Sequence, residues 1–133
     1  MSKIQYKIGT RPEIQQIIAV YDASGIIRPT DDYARIEKMY ANSNLIISAW
    51  DGEELIGIAR SLTDFCYACY LSDLAVRQAY QKEGVGRSLI ELTQKEIGEQ
   101  TALILLSAPA AVGYYPKVGF EPIENGFIIK RKK

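Results

Sequence analysis

Residues 74–89 read Leu74-Ala75-Val76-Arg77-Gln78-Ala79-Tyr80-Gln81-Lys82-Glu83-Gly84-Val85-Gly86-Arg87-Ser88-Leu89. An apolar, strand-like run ends at Val76, a polar loop with two glycines follows, and an amphipathic helix begins directly after the loop. The first N–H groups of a helix have no intrahelical acceptor, and the helix dipole adds positive potential at that end. Glycines let the backbone approach an anion closely. The segment therefore predicts a loop that binds phosphate or pyrophosphate through its backbone.

The spacing of the loop separates it from two common phosphate motifs. Gln81-Lys82-Glu83-Gly84-Val85-Gly86 lacks the third glycine of a dinucleotide fingerprint, and no Gly-Lys-Ser/Thr follows as in a nucleoside triphosphate loop. It resembles instead the pyrophosphate-binding motif of the GNAT superfamily, the acyl-coenzyme A-dependent N-acyltransferases. A second segment, Tyr114-Tyr115-Pro116-Lys117-Val118-Gly119-Phe120, is similar to the aromatic-Tyr-x-x-x-Gly-Phe motif of that family. When the order of the predicted helices and strands is included, the resemblance spans nearly the whole chain.

The resemblance implies acetyl-coenzyme A as the co-substrate and no metal ion. It assigns the pantetheine arm and the thioester carbonyl to the backbone of Leu74, Ala75 and Val76. It assigns the pyrophosphate to the loop and the first helical turn, namely Gln81, Lys82, Glu83, Gly84, Val85, Gly86, Arg87 and Ser88. The acceptor would be a primary amine of a small molecule or of a protein.

The proposed chemistry needs an acid for the departing thiolate and a base for the ammonium proton. Members of the family commonly carry the acid four residues before the motif's glycine, which is Tyr115 in this chain. The alternative is that Tyr115 is only a packing aromatic. Asp73 would act as the base if it faces the cleft; if it faces away, it is a solvated or capping carboxylate and ordered water takes the proton.

The pattern of elements predicts one α/β (α+β) domain over residues 1–133, with a mixed, mostly antiparallel sheet of six to seven strands and about four helices. The resemblance adds a splayed central strand pair. Thr10-Arg11-Pro12-Glu13 reads as a capping box before the first helix, and Ser24-Gly25 as its end. Asp51-Gly52 predicts a hairpin turn, and Asn125-Gly126 predicts a closing hairpin over Phe120–Ile129. The remaining predicted elements are strands at 3–8, 67–76 and 102–107 and helices from about 30–32, 86–98 and 110–117.

Composition narrows the class of protein. Sixteen basic and sixteen acidic residues give a net charge of zero, which argues against nucleic acid as a partner. No apolar run approaches the ~18 residues of a membrane span, and Met1–Gln5 lack a signal-peptide core. We therefore expect a cytoplasmic protein without a membrane partner, and a homodimer remains open. The chain has no histidine, which excludes Ser-His, Cys-His and histidine–metal chemistry.

Three functions of different classes fit the sequence. The first is acetyl transfer to an amine. The second is a non-catalytic sensor or partner module that binds acyl-coenzyme A without turnover. The third is a thiol-redox protein built on Cys66-Tyr67-Ala68-Cys69, which has thiol–disulfide spacing but falls at a predicted strand start rather than at a helix N-terminus.

Overall fold

A five-stranded sheet with the order β1-β2-β3-β4-β5 forms the centre of the computed structural model, which describes residues 3–133. The strands are β1 (Ile4–Ile8), β2 (Leu45–Asp51), β3 (Glu54–Thr63), β4 (Ala68–Val76) and β5 (Ala102–Ile104). The first three neighbouring pairs are antiparallel, and β5 runs parallel to β4. The sheet is therefore mixed and mostly antiparallel, as predicted. Met1 and Ser2, which belong to the Met1–Gln5 segment predicted to lack a signal-peptide core, lie outside the described residues.

Three α-helices cover the two faces of the sheet: α1 (Ile14–Ser24), α2 (Tyr33–Ala41) and α3 (Val85–Ile97). On one face, α1 and α2 bury Ile17 and Ile36 against Ile58 of β3. On the other face, α3 buries Leu89 and Ile90 in a second apolar cluster. Within residues 3–133, no helix is long and apolar enough to cross a membrane.

The helix ends were only partly predicted. The predicted capping box does not form, because Glu13 is the N-cap of α1 and makes no side-chain cap hydrogen bond. The end of α1 is as predicted, since Gly25 follows Ser24 with a φ of 89°, which favours glycine. Asp32 caps α2 by accepting a hydrogen bond from the backbone N–H of Arg35 at 3.1 Å.

The last third of the chain departs most from the prediction. β5 ends at Ile104 rather than Ser107, and two 3₁₀ turns, Pro109–Ala111 and Tyr115–Val118, replace the predicted helix. The predicted hairpin over Phe120–Ile129 is wrong, so the described chain has five strands instead of six or seven. Pro122 has no backbone N–H to donate in the first half of the predicted hairpin. An isolated hairpin is also only marginally stable when it has no sheet to pack on.

Candidate active site

A cleft opens between β4 and β5. These strands pair only over Ala68–Tyr70 and Ala102–Ile104, and β4 then continues for six more residues without β5 beside it. Along that stretch, β4 pairs with β3 alone, for example Leu74 with Ala59 and Val76 with Gly57. The predicted splayed strand pair is therefore present, and one backbone edge of β4 is left open.

The backbone direction at the end of β4 follows from two hydrogen bonds. The N–H of Arg77 donates to the carbonyl of Ile56 in β3 at 2.9 Å, so the preceding carbonyl of Val76 points away from β3. Strand alternation then directs the polar backbone groups of Leu74 and Val76 toward the cleft, and those of Ala75 toward β3. The side chains of Ala75 and Val76 are buried and that of Leu74 is half-buried, so their contribution to the cleft is mainly backbone.

The glycine loop leads from this edge to the N-terminus of α3. Gly84 is the N-cap with a φ of 79°, and the carbonyl of Gly84 accepts the first helical hydrogen bond from Ser88 at 3.1 Å. Among residues 3–133, no acceptor is paired with the N–H groups of Val85, Gly86 or Arg87. A side chain at Gly84 would point into open space, with no other atom within 4 Å, and would strain the backbone.

The side chains of the loop have different positions. Gln81 donates through Nε2 to the carbonyls of Val76 at 2.9 Å and Ser24 at 3.1 Å, so it braces the loop against the end of α1. Lys82 and Glu83 are exposed, whereas Val85 is buried and can offer only its backbone to a ligand. Arg87 is exposed and donates to the carbonyl of Lys117 at 3.2 Å.

Two adjacent tyrosines, Tyr114 and Tyr115, pack on the α3 side of the fold. An added Cβ at Gly86 would lie 2.8 Å from Oη of Tyr114, so the Tyr114 hydroxyl rests directly on the start of α3. Tyr115 packs edge-to-face against Tyr114 and Phe120, with ring centroids 5.2 and 5.5 Å away. Its hydroxyl forms no hydrogen bond with the described residues. Burial, assisted by Tyr114 and opposed by the charge of Arg28, raises the pKa of Tyr115, which is therefore neutral at pH 7.

Asp73 lies at the centre of a buried ion-pair network. Its carboxylate is fully buried and accepts from Nε of Arg28 and from Nε of Arg60, both at 2.5 Å. Tyr21 donates to the same carboxylate at 2.7 Å and is hydrogen-bonded to Tyr40. Side chains from α1, the segment after α1 and β3 thus converge on one carboxylate of β4.

This environment argues against the base role that the sequence suggested for Asp73. Burial alone would raise the pKa of the carboxyl, but the hydrogen bond and charge of Arg60, with the charge of Arg28, lower it. An ionised carboxylate held by two arginines is a weak proton acceptor. Asp73 is buried and ion-paired rather than solvated, so the solvated alternative is wrong. The base role stays a prediction that these contacts disfavour.

Comparison with known proteins places this geometry in a family. A family model described as an acetyltransferase (GNAT) domain matches residues 19–130. The chain belongs to the GNAT acetyltransferase family. The histone acetyltransferase TAP1 of Glycine max is 34% identical over 79 residues, which are 56% of this chain and 33% of that protein. The GNAT chain thus spans about a third of the length of the curated relatives that it matches.

Solved structures resemble this GNAT fold over nearly its full length. A probable acetyltransferase of unknown function from methicillin-resistant Staphylococcus aureus superposes with a TM-score of 0.79 at 27% identity, covering 98% of this chain and 100% of the other. An aminoglycoside N-acetyltransferase in complex with coenzyme A has a TM-score of 0.73 at 16% identity, covering 100% and 97% of the two chains. At that identity, the second comparison shows the fold alone.

Several functional features of this GNAT domain were not evident in the sequence. The guanidinium groups of Arg28 and Arg60 are both bound to Asp73. Tyr21 on α1 and Tyr40 on α2 complete this network. No sequence pattern places these four side chains around Asp73, because they are distributed over 40 positions from Tyr21 to Arg60 and Asp73 lies on the next strand.

The two cysteines of this GNAT domain lie in different environments. Cys66 is exposed, Cys69 is buried in β4, and both thiols are free. Partial desolvation, aided by the Asp64 carboxylate, raises the pKa of both thiols. Since the thiolate is the reactive form, these positions are poorly suited to thiol exchange.

Proposed function

We propose that this protein transfers an acetyl group from acetyl-coenzyme A to a primary amine of a small molecule or a protein. In this reaction the amine nitrogen bonds to the acetyl carbon, the carbon–sulfur bond breaks, and the amine loses a proton while the thiolate gains one. The main support is the continuity of the open backbone edge of β4 with the free N–H groups of Val85, Gly86 and Arg87. An amide-containing arm with a pyrophosphate at one end matches that surface.

The protein's part in binding would be mostly backbone. The N–H groups at the start of α3 would hold the pyrophosphate, aided by the helix dipole. Leu74 and Val76 would pair with the pantetheine amides as a neighbouring strand does. An amide in 74–76 would also hydrogen-bond the thioester oxygen as negative charge develops there. The solved aminoglycoside N-acetyltransferase named above, which shares the fold, is a complex with coenzyme A, and this supports the assignment.

Tyr115 is our candidate for the general acid. Its raised pKa keeps the phenol protonated at neutral pH, and its hydroxyl has no hydrogen-bond partner among residues 3–133 that would compete with a departing thiolate. A positioned acid of this kind contributes a factor of roughly 10²–10⁴ in rate.

Solvent in the cleft is our candidate for the base, since Asp73 is withdrawn into its ion pairs. An alkylammonium has a pKa near 10.4, so its deprotonation at pH 7 costs about 4.6 kcal/mol. The rate with a simple amine should therefore rise about tenfold per pH unit between pH 6 and 9. The titration of Asp73 should cause no change of slope in the pH–rate profile in that range.

Isothermal titration with acetyl-coenzyme A tests the binding site. Gly84→Val should reduce affinity at least ~100-fold, because it strains a residue at φ 79° and fills the anion space. Gly52→Val is the control for strain at a positive φ, since Gly52 lies in the β2–β3 turn at φ 62° with open space around it. Equal losses in both variants, or no binding by the native protein at millimolar ligand, would overturn the proposed site.

Turnover with a panel of amines tests the chemistry. Tyr115→Phe should lower kcat roughly 10²–10⁴-fold while acetyl-coenzyme A affinity stays within about twofold. Tyr67→Phe, at a tyrosine that is 78% exposed on the β3–β4 loop, controls for the loss of a phenol. Binding without turnover across the panel would favour the non-catalytic acyl-coenzyme A-binding module instead.

A further inference from the structure

The glycine loop, residues 77–84, has few backbone bonds to the rest of the fold. Within residues 3–133, the backbone hydrogen bonds of residues 78–83 are all local, and each joins residues three positions apart: Tyr80 donates to the carbonyl of Arg77, Gln81 to that of Gln78 and Glu83 to that of Tyr80. Bonds of this kind shape a turn but do not tie it to another element. The position of the loop relative to the sheet therefore depends on its side chains.

Tyr80 provides one of these side-chain anchors. Its ring packs against the α3-side core, and its hydroxyl donates to the carboxylate of Asp51 at 2.6 Å. The hydrogen bond to Asp51, with partial desolvation, raises the pKa of Tyr80 to about 12. The phenol is therefore protonated and able to donate throughout the neutral pH range.

Asp51 is a fixed partner for this hydrogen bond. It is the last residue of β2 and pairs in register with Ile4 of β1 on one side and with Glu54 of β3 on the other. The anchor point thus belongs to the sheet. If the bond to Tyr80 is lost, the loop rather than the strand should become more mobile.

Gln81 provides a second anchor from the other face of the sheet. Its Nε2 donates to the carbonyls of Val76, in β4, and Ser24, at the end of α1. Tyr80 and Gln81 together hold the loop between the end of β2 and the end of α1. In that position the loop leads to Gly84 and to the N–H groups at the start of α3.

We propose that Tyr80 and Asp51 are positioning residues for acetyl-coenzyme A, because their hydrogen bond holds the ligand-free glycine loop in the conformation that binds pyrophosphate. The proposal rests on the proposed function, which makes acetyl-coenzyme A the ligand of the loop. A loop that is already ordered loses less conformational entropy when it binds, and this raises affinity. The pair acts through the loop rather than by contact, since the Asp51 carboxylate would repel a pyrophosphate.

Isothermal titration with acetyl-coenzyme A measures the contribution of the pair. Tyr80→Phe and Asp51→Ala should each raise Kd about 10-fold, which corresponds to about 1.4 kcal/mol. The KM for acetyl-coenzyme A should rise by a similar factor in Tyr80→Phe while kcat stays within twofold, because Tyr80 does not touch the reacting atoms. Two controls should leave Kd unchanged: Tyr67→Phe, at a tyrosine that is 78% exposed, and Glu53→Ala, at an exposed carboxylate in the turn beside Asp51.

A double variant shows whether Tyr80 and Asp51 act as one contact. Tyr80→Phe/Asp51→Ala should bind no more weakly than the weaker single variant, and Asp51→Asn, which keeps an acceptor for the phenol, should recover part of the loss. Additive losses, or a loss below twofold in either single variant, would overturn the proposal. Because the whole pair contributes only about 10-fold, the Gly52→Val control next to Asp51 stays well below the ~100-fold loss expected of Gly84→Val.

Hydrogen exchange of the ligand-free protein tests the pair without acetyl-coenzyme A. The amides of Tyr80, Gln81 and Glu83 should exchange at least ~10-fold faster in Tyr80→Phe, while the amides of β3 keep their native rates and show that the fold is intact. Unchanged exchange in the loop would overturn the positioning role even if the native protein binds acetyl-coenzyme A. Failure of the native protein to bind would instead overturn the proposed function, and with it acetyl-coenzyme A as the ligand of the loop.

Discussion

Asp73→Asn tests whether the buried carboxylate supports the fold or the chemistry. The substitution removes the charge that two arginines share, and Arg60 would keep a cation that is only 8% exposed without its partner. Breaking a buried ion pair by removing one partner costs about 3–5 kcal/mol. Two charge-assisted hydrogen bonds of ~1.5–3 kcal/mol each lead to the same range. We therefore expect a loss of at least about 3 kcal/mol in the free energy of unfolding.

Urea unfolding at pH 7 measures this loss. With a denaturant slope of ~1–3 kcal/mol per molar, the midpoint should fall by at least about 1 M. Asp22→Asn is the control, because Asp22 is an exposed carboxylate on α1, near the same network but outside it, and it should change the midpoint little. A loss below about 1 kcal/mol for Asp73→Asn would refute the reasoning about the network.

Kinetics of the same variant separate the structural role from a catalytic one. If the folded Asp73→Asn protein acetylates an amine with an unchanged rise of rate with pH, Asp73 is not the base. A kcat loss above ~100-fold without loss of stability would restore the base role.

The pKa of Asp73 is lowered in the folded protein. The contribution of Asp73 to folding stability is therefore full above the unfolded pKa of about 3.9 and is lost as pH falls through the lower folded value.

Three further variants or titrations check individual parts of the fold. Leu89→Ala should lower the free energy of unfolding by about 2–5 kcal/mol in urea titration, because Leu89 is fully buried in the α3-side core. Asp32→Ala should cost about 1 kcal/mol in the same assay through loss of the α2 cap. The Asp64 carboxyl accepts three backbone N–H groups that lower its pKa to about 2, and carboxyl NMR titration should find this value. Its stabilisation of the β3–β4 loop should be full above about pH 3.9 and lost as pH falls through about 2.

Local signals in the sequence predicted the glycine loop and the β2–β3 turn well. Gly84 and Gly86 marked the loop because a left-handed turn and a close backbone approach each exclude most side chains. Asp51-Gly52 marked the β2–β3 hairpin for a similar reason, with Gly52 at a φ of 62°. Such requirements are fixed by a few adjacent residues and can therefore be read in order along the chain.

Features that depend on residues far apart were not predicted. The residues next to Asp73 in the sequence predict correctly that it lies on a strand. Its environment, however, is set by Arg28 and Tyr21, which lie 45 and 52 positions away. The C-terminal hairpin was predicted from Asn125-Gly126 and strand propensity. A strand forms only where a neighbouring strand accepts its hydrogen bonds, and the described chain provides none to residues 121–133.

The buried network also bears on how the segment after α1 is held against β4. An apolar cluster of similar volume would often stabilise a fold at least as well as a buried ion pair. What the carboxylate of Asp73 adds is direction: its two oxygens fix Arg28, in the segment after α1, and Arg60, in β3, at defined angles. Arg28 also donates to the carbonyl of Ser72 at 2.9 Å, so the segment after α1 is tied to β4 immediately before the stretch that lines the cleft.

The charge of Arg28 also acts on Tyr115, where it opposes the rise of the tyrosine's pKa. The network thus links the position of the 26–30 segment to the electrostatics of the proposed general acid. Changes at Arg28 should therefore alter both stability and the alkaline limb of the pH–rate profile, whereas changes at Arg60 should alter stability alone.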